Sequence, residues 1–187
     1  MTHIEEVNHT GPICALTALR TSDNIVFAGE GPNLKAYNFE HGKKVFQKQI
    51  FARNKIHGIK IYESTAPVNI AIFGGKSLTV FPYEKLNDTD YQPKEYSVGD
   101  WILAVEFSID GTKLYCLTTH NVVCTIDVES MRLVATDNCG WKSILYSGCI
   151  RSLDDGRVIV CSGTVMNGIL VWRVGEPNIK YNLKGHE

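Results

Sequence analysis

One pattern recurs along this chain: an apolar run ending in a turn residue, a short link, and a second alternating run. It is first seen in NIVFAGEGPNLKAYNF from Asn24 and returns as NIAIFGGKSLTVFPY from Asn69. TKLYCLTTHNVVCTIDV and GRVIVCSGTVMNGILVWRV are the third and fourth passes. Gly31 and Gly75 lie 44 apart, as do Tyr37 and Phe81, and Asn33 and Ser77. Asn121 stands 44 beyond Ser77, and Asn167 follows 46 later. The second runs end in Tyr37-Asn38, Phe81-Pro82, Ile126-Asp127 and Trp172-Arg173.

Each repeat has a further β-rich run on either side. ICALTALRT, IHGIKIYES, WILAVEFS and SILYSGCIRSL precede the pairs, and KKVFQKQIF, PKEYSVG, MRLVATDN and NIKYNLKG follow them. Short alternating runs broken by Gly, Asn, Asp and Pro read as strands, and no helical periodicity persists over a helix length. SIDGTKL and LDDGRVI each place Asp-Gly between two runs, a hairpin signal because Gly tolerates positive φ. Four-stranded units at this period are the signature of propeller blades, which bury their apolar faces by stacking on one another. The expected fold is all-β, with four consecutive four-stranded blades at about 12–51, 56–99, 101–138 and 143–184.

The third unit, SVGDWILAVEFSIDGTKLYCL, resembles the WD40 repeat family, in which Gly-His precedes a blade's innermost strand and Trp-Asp ends its third. That resemblance implies that LKGHE, with Gly185, His186 and Glu187, begins a further blade. The expectation is an open, partial propeller belonging to a longer chain, because a WD40 ring typically closes with seven blades.

The formal net charge of -1 carries no global basic field for nucleic acid, so RNA contact would rest on a local patch or on a partner. MTHIEEVNHTG carries acids and no apolar run, and no apolar stretch approaches the ~20 residues of a membrane span. A cytosolic or nuclear location follows by default, and the cytoplasm is the expectation. Cys14, Cys116, Cys124, Cys139, Cys149 and Cys161 include no Cys-x-x-Cys pair and read as small buried hydrophobes in a reducing compartment.

Candidate chemistry is sparse. IFGGKS ends like a phosphate loop, but Ile70 occupies the place of the required first Gly, and a strand follows where a helix is needed. AGEGPNL is a Gly-rich fingerprint broken at its third Gly. The six histidines show no metal spacing. Neither a catalytic constellation, a cofactor site nor a metal site is predicted. His186, by resemblance to the WD40 Gly-His, is expected to serve a structural network.

Surface remains. One propeller face is built from the links between blades and the links between second and third strands. Those links supply Arg53, Lys55, His57, Asp100, Trp101, His120, Trp141 and Lys142, together with Glu30, Lys76 and Asn167. Trp101 and Trp141 each follow a linking Gly. Because Trp is usually well buried, the first expectation is that both cap the core. The alternative is an aromatic and basic binding face.

A closer resemblance covers about Ile13 to Glu187. VFAGEGPNLKAYNF, IHGIKI, GDWILAVEF, THNVVCTID and NGILVWRV…LKGHE, in that order and spacing, resemble the N-terminal propeller of a family of large WD-repeat proteins. Those proteins partner the tRNA ribose 2′-O-methyltransferase acting on the wobble nucleotide. The resemblance implies a non-catalytic subunit that holds the methyltransferase, contacts tRNA through the complex and needs no cofactor of its own. A generic WD40 adaptor in membrane trafficking or signalling is the alternative that the fold permits equally.

Overall fold

In a computed structural model, residues 11–20, 24–64, 66–88, 90–176 and 178–184 are described. The expected opening of a further blade at Gly185, His186 and Glu187 lies outside them, as do His3 and His9. The chain divides into two compact units, Met1–Glu95 and Tyr96–Glu187.

Four antiparallel four-stranded sheets are present, as the repeat predicts, each with the strand order of a propeller blade. The first contains β1 (Ile13–Ala18), β2 (Ile25–Glu30), β3 (Asn33–Asn38) and β4 (Lys43–Gln49). β5 (Gly58–Tyr62), β6 (Asn69–Gly74), β7 (Ser77–Pro82) and the short β8 (Glu95–Ser97) form the second. The third comprises β9 (Ile102–Phe107), β10 (Lys113–Thr118), β11 (Val122–Asp127) and β12 (Arg132–Asn138). The fourth comprises β13 (Leu145–Ser152), β14 (Val158–Thr164), β15 (Gly168–Arg173) and β16 (Ile179–Lys184).

Register shows how closely the repeats correspond. Tyr37, Phe81, Ile126 and Trp172 pair with Val26, Ile70, Leu114 and Val160 at equivalent rungs of their hairpins. In three sheets the pairing of third and fourth strands shifts at this same rung, between Ala36 and Tyr37, Thr125 and Ile126, and Val171 and Trp172. A bulge sharpens local twist, which suits a strand that must rotate into the outer edge of a blade. Phe81, Ile126 and Trp172 are fully buried.

The hairpin turns differ by one residue. Two residues link β2 to β3 and β6 to β7, whereas three link β10 to β11 and β14 to β15. The expected match of Asn33 and Ser77 with Asn121 and Asn167 is therefore one residue out of step. What the turns share is a left-handed residue: Gly31 and Gly75 in one unit, Asn121 and Asn167 in the other, at φ between 52° and 60°. Gly and Asn are the residues that tolerate this conformation. Both Asp-Gly hairpins form as expected, with Gly111 and Gly156 at positive φ. Asp110 receives the Thr112 amide, and Asp155 the Arg157 amide, both at 3.1 Å.

Between β7 and β8 the chain departs from simple alternation. A single 3-10 turn at Tyr83–Lys85 carries the chain into a link that sets the Tyr91 ring edge-on to Phe81. Phe81 and Lys48 also meet, the ammonium 5.4 Å from the ring centroid. Aromatic packing by this link accompanies a fourth strand of only three residues.

Within each unit, two sheets close over one apolar core. Phe27, Leu34, Phe51, Ile56, Ile70 and Phe81 lie in the first; Leu117, Val123, Leu145, Val160, Leu170 and Trp172 lie in the second. The same backbone bond ties the sheets together in both units. Ile56 donates to the Gly31 carbonyl at 2.7 Å, and Leu145 donates to the Thr119 carbonyl at 2.8 Å. Gly29 belongs to this seam: a Cβ there would stand 2.5 Å from Ile56 Cγ2. The AGEGP stretch is thus a packing device and a turn.

The cysteines need a correction. Cys116, Cys124 and Cys139 are buried, but Cys14 and Cys149 are exposed. Cys139 is also more than filler, because its Sγ accepts the Asn121 side-chain amide.

Candidate partner-binding surface

The site residues expected from sequence fall into three groups, each on a link pinned to a hairpin turn. In the first unit the link before β5 runs close over the β6–β7 turn. A Cβ on Gly74 would lie 1.8 Å from the Lys55 carbonyl oxygen, so only Gly allows the approach. Asn54 donates to Ser77 Oγ at 2.8 Å, and His57 Nδ1 accepts the Gly75 amide at 3.4 Å. His57 is half-buried and takes part in holding the link, while Arg53 and Lys55 alternate outward and are exposed. Rigid links carrying outward cations suit partner recognition, because less side-chain and loop freedom is lost on binding.

Glu30 corrects the sequence reading. It lies beside the β2–β3 turn but points inward, only 1% exposed, and pairs with the fully buried Lys35. It belongs to the interior.

In the second unit, Asp100, Trp101 and His120 come together. The link before β9 places the Asp100 carboxylate beneath the β10–β11 turn, where it gathers four donors. These are the Trp101 amide at 2.8 Å, Thr119 Oγ1 at 3.0 Å, the His120 amide at 3.2 Å and His120 Nδ1 at 2.8 Å. Partial burial works against the Asp100 charge, but the bonds from His120, the Trp101 amide and Thr119 outweigh it and hold the pKa at about 2. Asp100 is a brace between link and turn. The outer side of the brace presents Trp101, half-exposed at 51%, and the imidazole of His120, 67% exposed.

Trp141 and Lys142 lie on the link before β13, the third group. Trp141 is also 51% exposed. The expectation that the two tryptophans cap the core is therefore overturned for both. Each follows a Gly at positive φ, Gly99 or Gly140, where the chain turns outward before the next blade's first strand. The buried tryptophan is Trp172.

Trp141 and Lys142 line a pocket of about 790 Å³ together with Ile144, Met166, Asn167 and Lys184. Met166 and Lys184 were not anticipated. A signal for Met166 was present, since it occupies the same kind of turn as His120; Lys184 required the pairing of β16 with β15, which brings it opposite Gly168. Among the described residues, no group of three or more His, Cys, Asp or Glu could hold a metal ion. No helix among them is long and apolar enough to cross a membrane.

No family model matches the chain. In sequence it is similar to the tRNA (34-2'-O)-methyltransferase regulator WDR6 of Mus musculus, 26% identical over 172 residues. Its likeness to the Rattus norvegicus protein of the same name is 25% over 174 residues. Each match covers 84% of this chain and 15% of the relative, so the chain spans a small part of the length of the proteins it matches. Both relatives are named as regulators of a methyltransferase.

Proposed function

We propose that this chain belongs to a non-catalytic WD-repeat subunit that supports 2′-O-ribose methylation at the wobble position of tRNA. In this reading it binds the methyltransferase in the cytoplasm and helps hold tRNA so that the target ribose reaches the enzyme. Positioning of this kind governs rate without contributing a reacting group. The observation that carries the proposal is the similarity over 84% of the chain to proteins named as regulators of that methyltransferase. The braced links support it: Asp100, Asn54 and His57 hold Trp101, Arg53 and Lys55 outward on stiff backbone.

Deletion of the gene, followed by mass spectrometry of substrate tRNAs, tests the proposal. Loss of the wobble 2′-O-methyl group, with co-purification of a methyltransferase, is the expected result. Intact methylation in the deletion strain would reject it, and partners drawn only from traffic or signalling pathways would favour the general adaptor.

A further inference from the structure

We propose that the pocket beside β13 and β15 receives a nucleotide of single-stranded RNA, its base stacked on Trp141 and its phosphates held by Lys142 and Lys184. The proposal deepens the reading of this chain as a subunit for tRNA modification and rests on it.

Three observations converge. The pocket, about 790 Å³, falls within the range of small-molecule sites, and its described lining residues all belong to the second unit. Its rim gathers three large apolar side chains at the surface, Trp141 at 51%, Ile144 at 53% and Met166 at 84% exposure. Surface apolar residues are ordinary when scattered, whereas a cluster around a concavity marks a binding site. Finally, the polar groups lining it have one character. Lys142 and Lys184 are cationic, Asn167 and Asn182 offer side-chain amides, and none of the described residues lining the pocket is acidic.

That combination selects among occupants. An apolar helix would leave the lysines and both amides facing hydrocarbon, and a free anion would leave Trp141 and Met166 without partners. A nucleotide uses all of them. Base stacking on an aromatic ring supplies sequence-tolerant affinity, lysines neutralise backbone phosphates, and amides can meet base edges. Duplex RNA does not fit, because its bases are stacked inside the helix and cannot reach the indole. In a tRNA, single-stranded loops and the chain end are the parts that offer unstacked bases. The turn carrying Met166 and Asn167 is held by Val165 donating to the Ile144 carbonyl at 3.0 Å and by Gly168 donating to Thr164 Oγ1 at 3.1 Å. The pocket is thus formed before any ligand arrives.

The test uses the purified chain and a short fluorescein-labelled oligouridine, with its duplex as comparison. Trp141→Ala is expected to weaken single-strand binding about tenfold. Lys142→Gln combined with Lys184→Gln is expected to lower the logarithmic salt dependence of binding by about 1.4. Lys113→Gln, at the opposite end of its strand, is expected to bind as the parent does. Urea midpoints for all variants establish that folding is retained. Equal affinity for duplex and single strand, or unchanged binding by both pocket variants, would overturn the proposal. So would variants that lose the methyltransferase yet keep RNA, since the pocket would then be a protein dock. Failure of the broader reading shows elsewhere, as intact wobble methylation when the gene is deleted.

Discussion

Trp172 Nε1 donates to the side-chain oxygen of Asn121 at 3.2 Å, joining a strand of the fourth sheet to the hairpin turn of the third. Both residues are fully buried. Asn121 completes its bonding through Cys139 Sγ at 2.8 Å and Ser162 Oγ at 3.5 Å. Its backbone is left-handed, φ 60°, and its side chain lies in the core. One residue therefore makes the turn, satisfies the indole and ties two sheets together.

Substitution at this pair should be costly and coupled. Trp172→Ala is expected to lose about 3–5 kcal/mol through the cavity it leaves. Asn121→Ala is expected to lose about 2–4 kcal/mol, combining an unpaired indole N–H with strain at positive φ. The double variant should cost less than the sum. Urea denaturation of the three variants measures this, and full additivity would mean that the two residues act independently.

Glu30 and Lys35 form a buried pair in the first unit. Removing one charge strands the other, so Glu30→Ala is expected to destabilise by about 3–5 kcal/mol. Glu30→Leu with Lys35→Met removes both charges and should recover most of that loss. A double variant no better than the single would show that shape, rather than uncompensated charge, governs the site.

Asp100 makes stability depend on acid. Its folded pKa lies near 2, below the ordinary 3.8, so the charged form is favoured in the folded chain. The associated stability is present above pH ~4 and is lost as pH falls towards ~2. Because the carboxylate is only partly buried and solvent screens it, the contribution is expected to be about 1 kcal/mol or less. Asp100→Asn should flatten this part of the pH–stability curve, as read by thermal melts between neutral and acid pH.

Trp101 offers the converse of Trp172. Being half-exposed, it should tolerate Trp101→Ala with a loss under about 1 kcal/mol, far from the cost of emptying a core site. A large loss of stability would place its ring in the core after all.

Arg53→Glu with Lys55→Glu is expected to leave the urea midpoint within about 0.5 kcal/mol of the parent while weakening methyltransferase or tRNA binding. Pull-down and electrophoretic mobility measurements on the same preparation separate the two effects. Undiminished binding to both would make this link ordinary solvent surface.

Four repeated strand patterns, the Asp-Gly hairpins and the correspondence of Tyr37, Phe81, Ile126 and Trp172 were legible from residue order. They depend on local backbone preference and on alternation, which neighbouring residues carry within themselves. Orientation at the links was not legible. Glu30 was expected at the surface and lies inside with Lys35, whereas Trp101 and Trp141 were expected inside and lie half-exposed. Whether a side chain near a turn faces core or solvent depends on what the fold places against it: Lys35 on the paired strand for Glu30, and links that turn outward at Gly99 and Gly140 for the tryptophans. Alternation and turn chemistry are short-range and are written in the sequence itself. The brace at Asp100, the bond from Trp172 to Asn121 and the pocket beneath Trp141 join residues well separated in the chain: strand pairing within one sheet assembles the brace and the pocket, and the packing of two sheets brings Trp172 to Asn121.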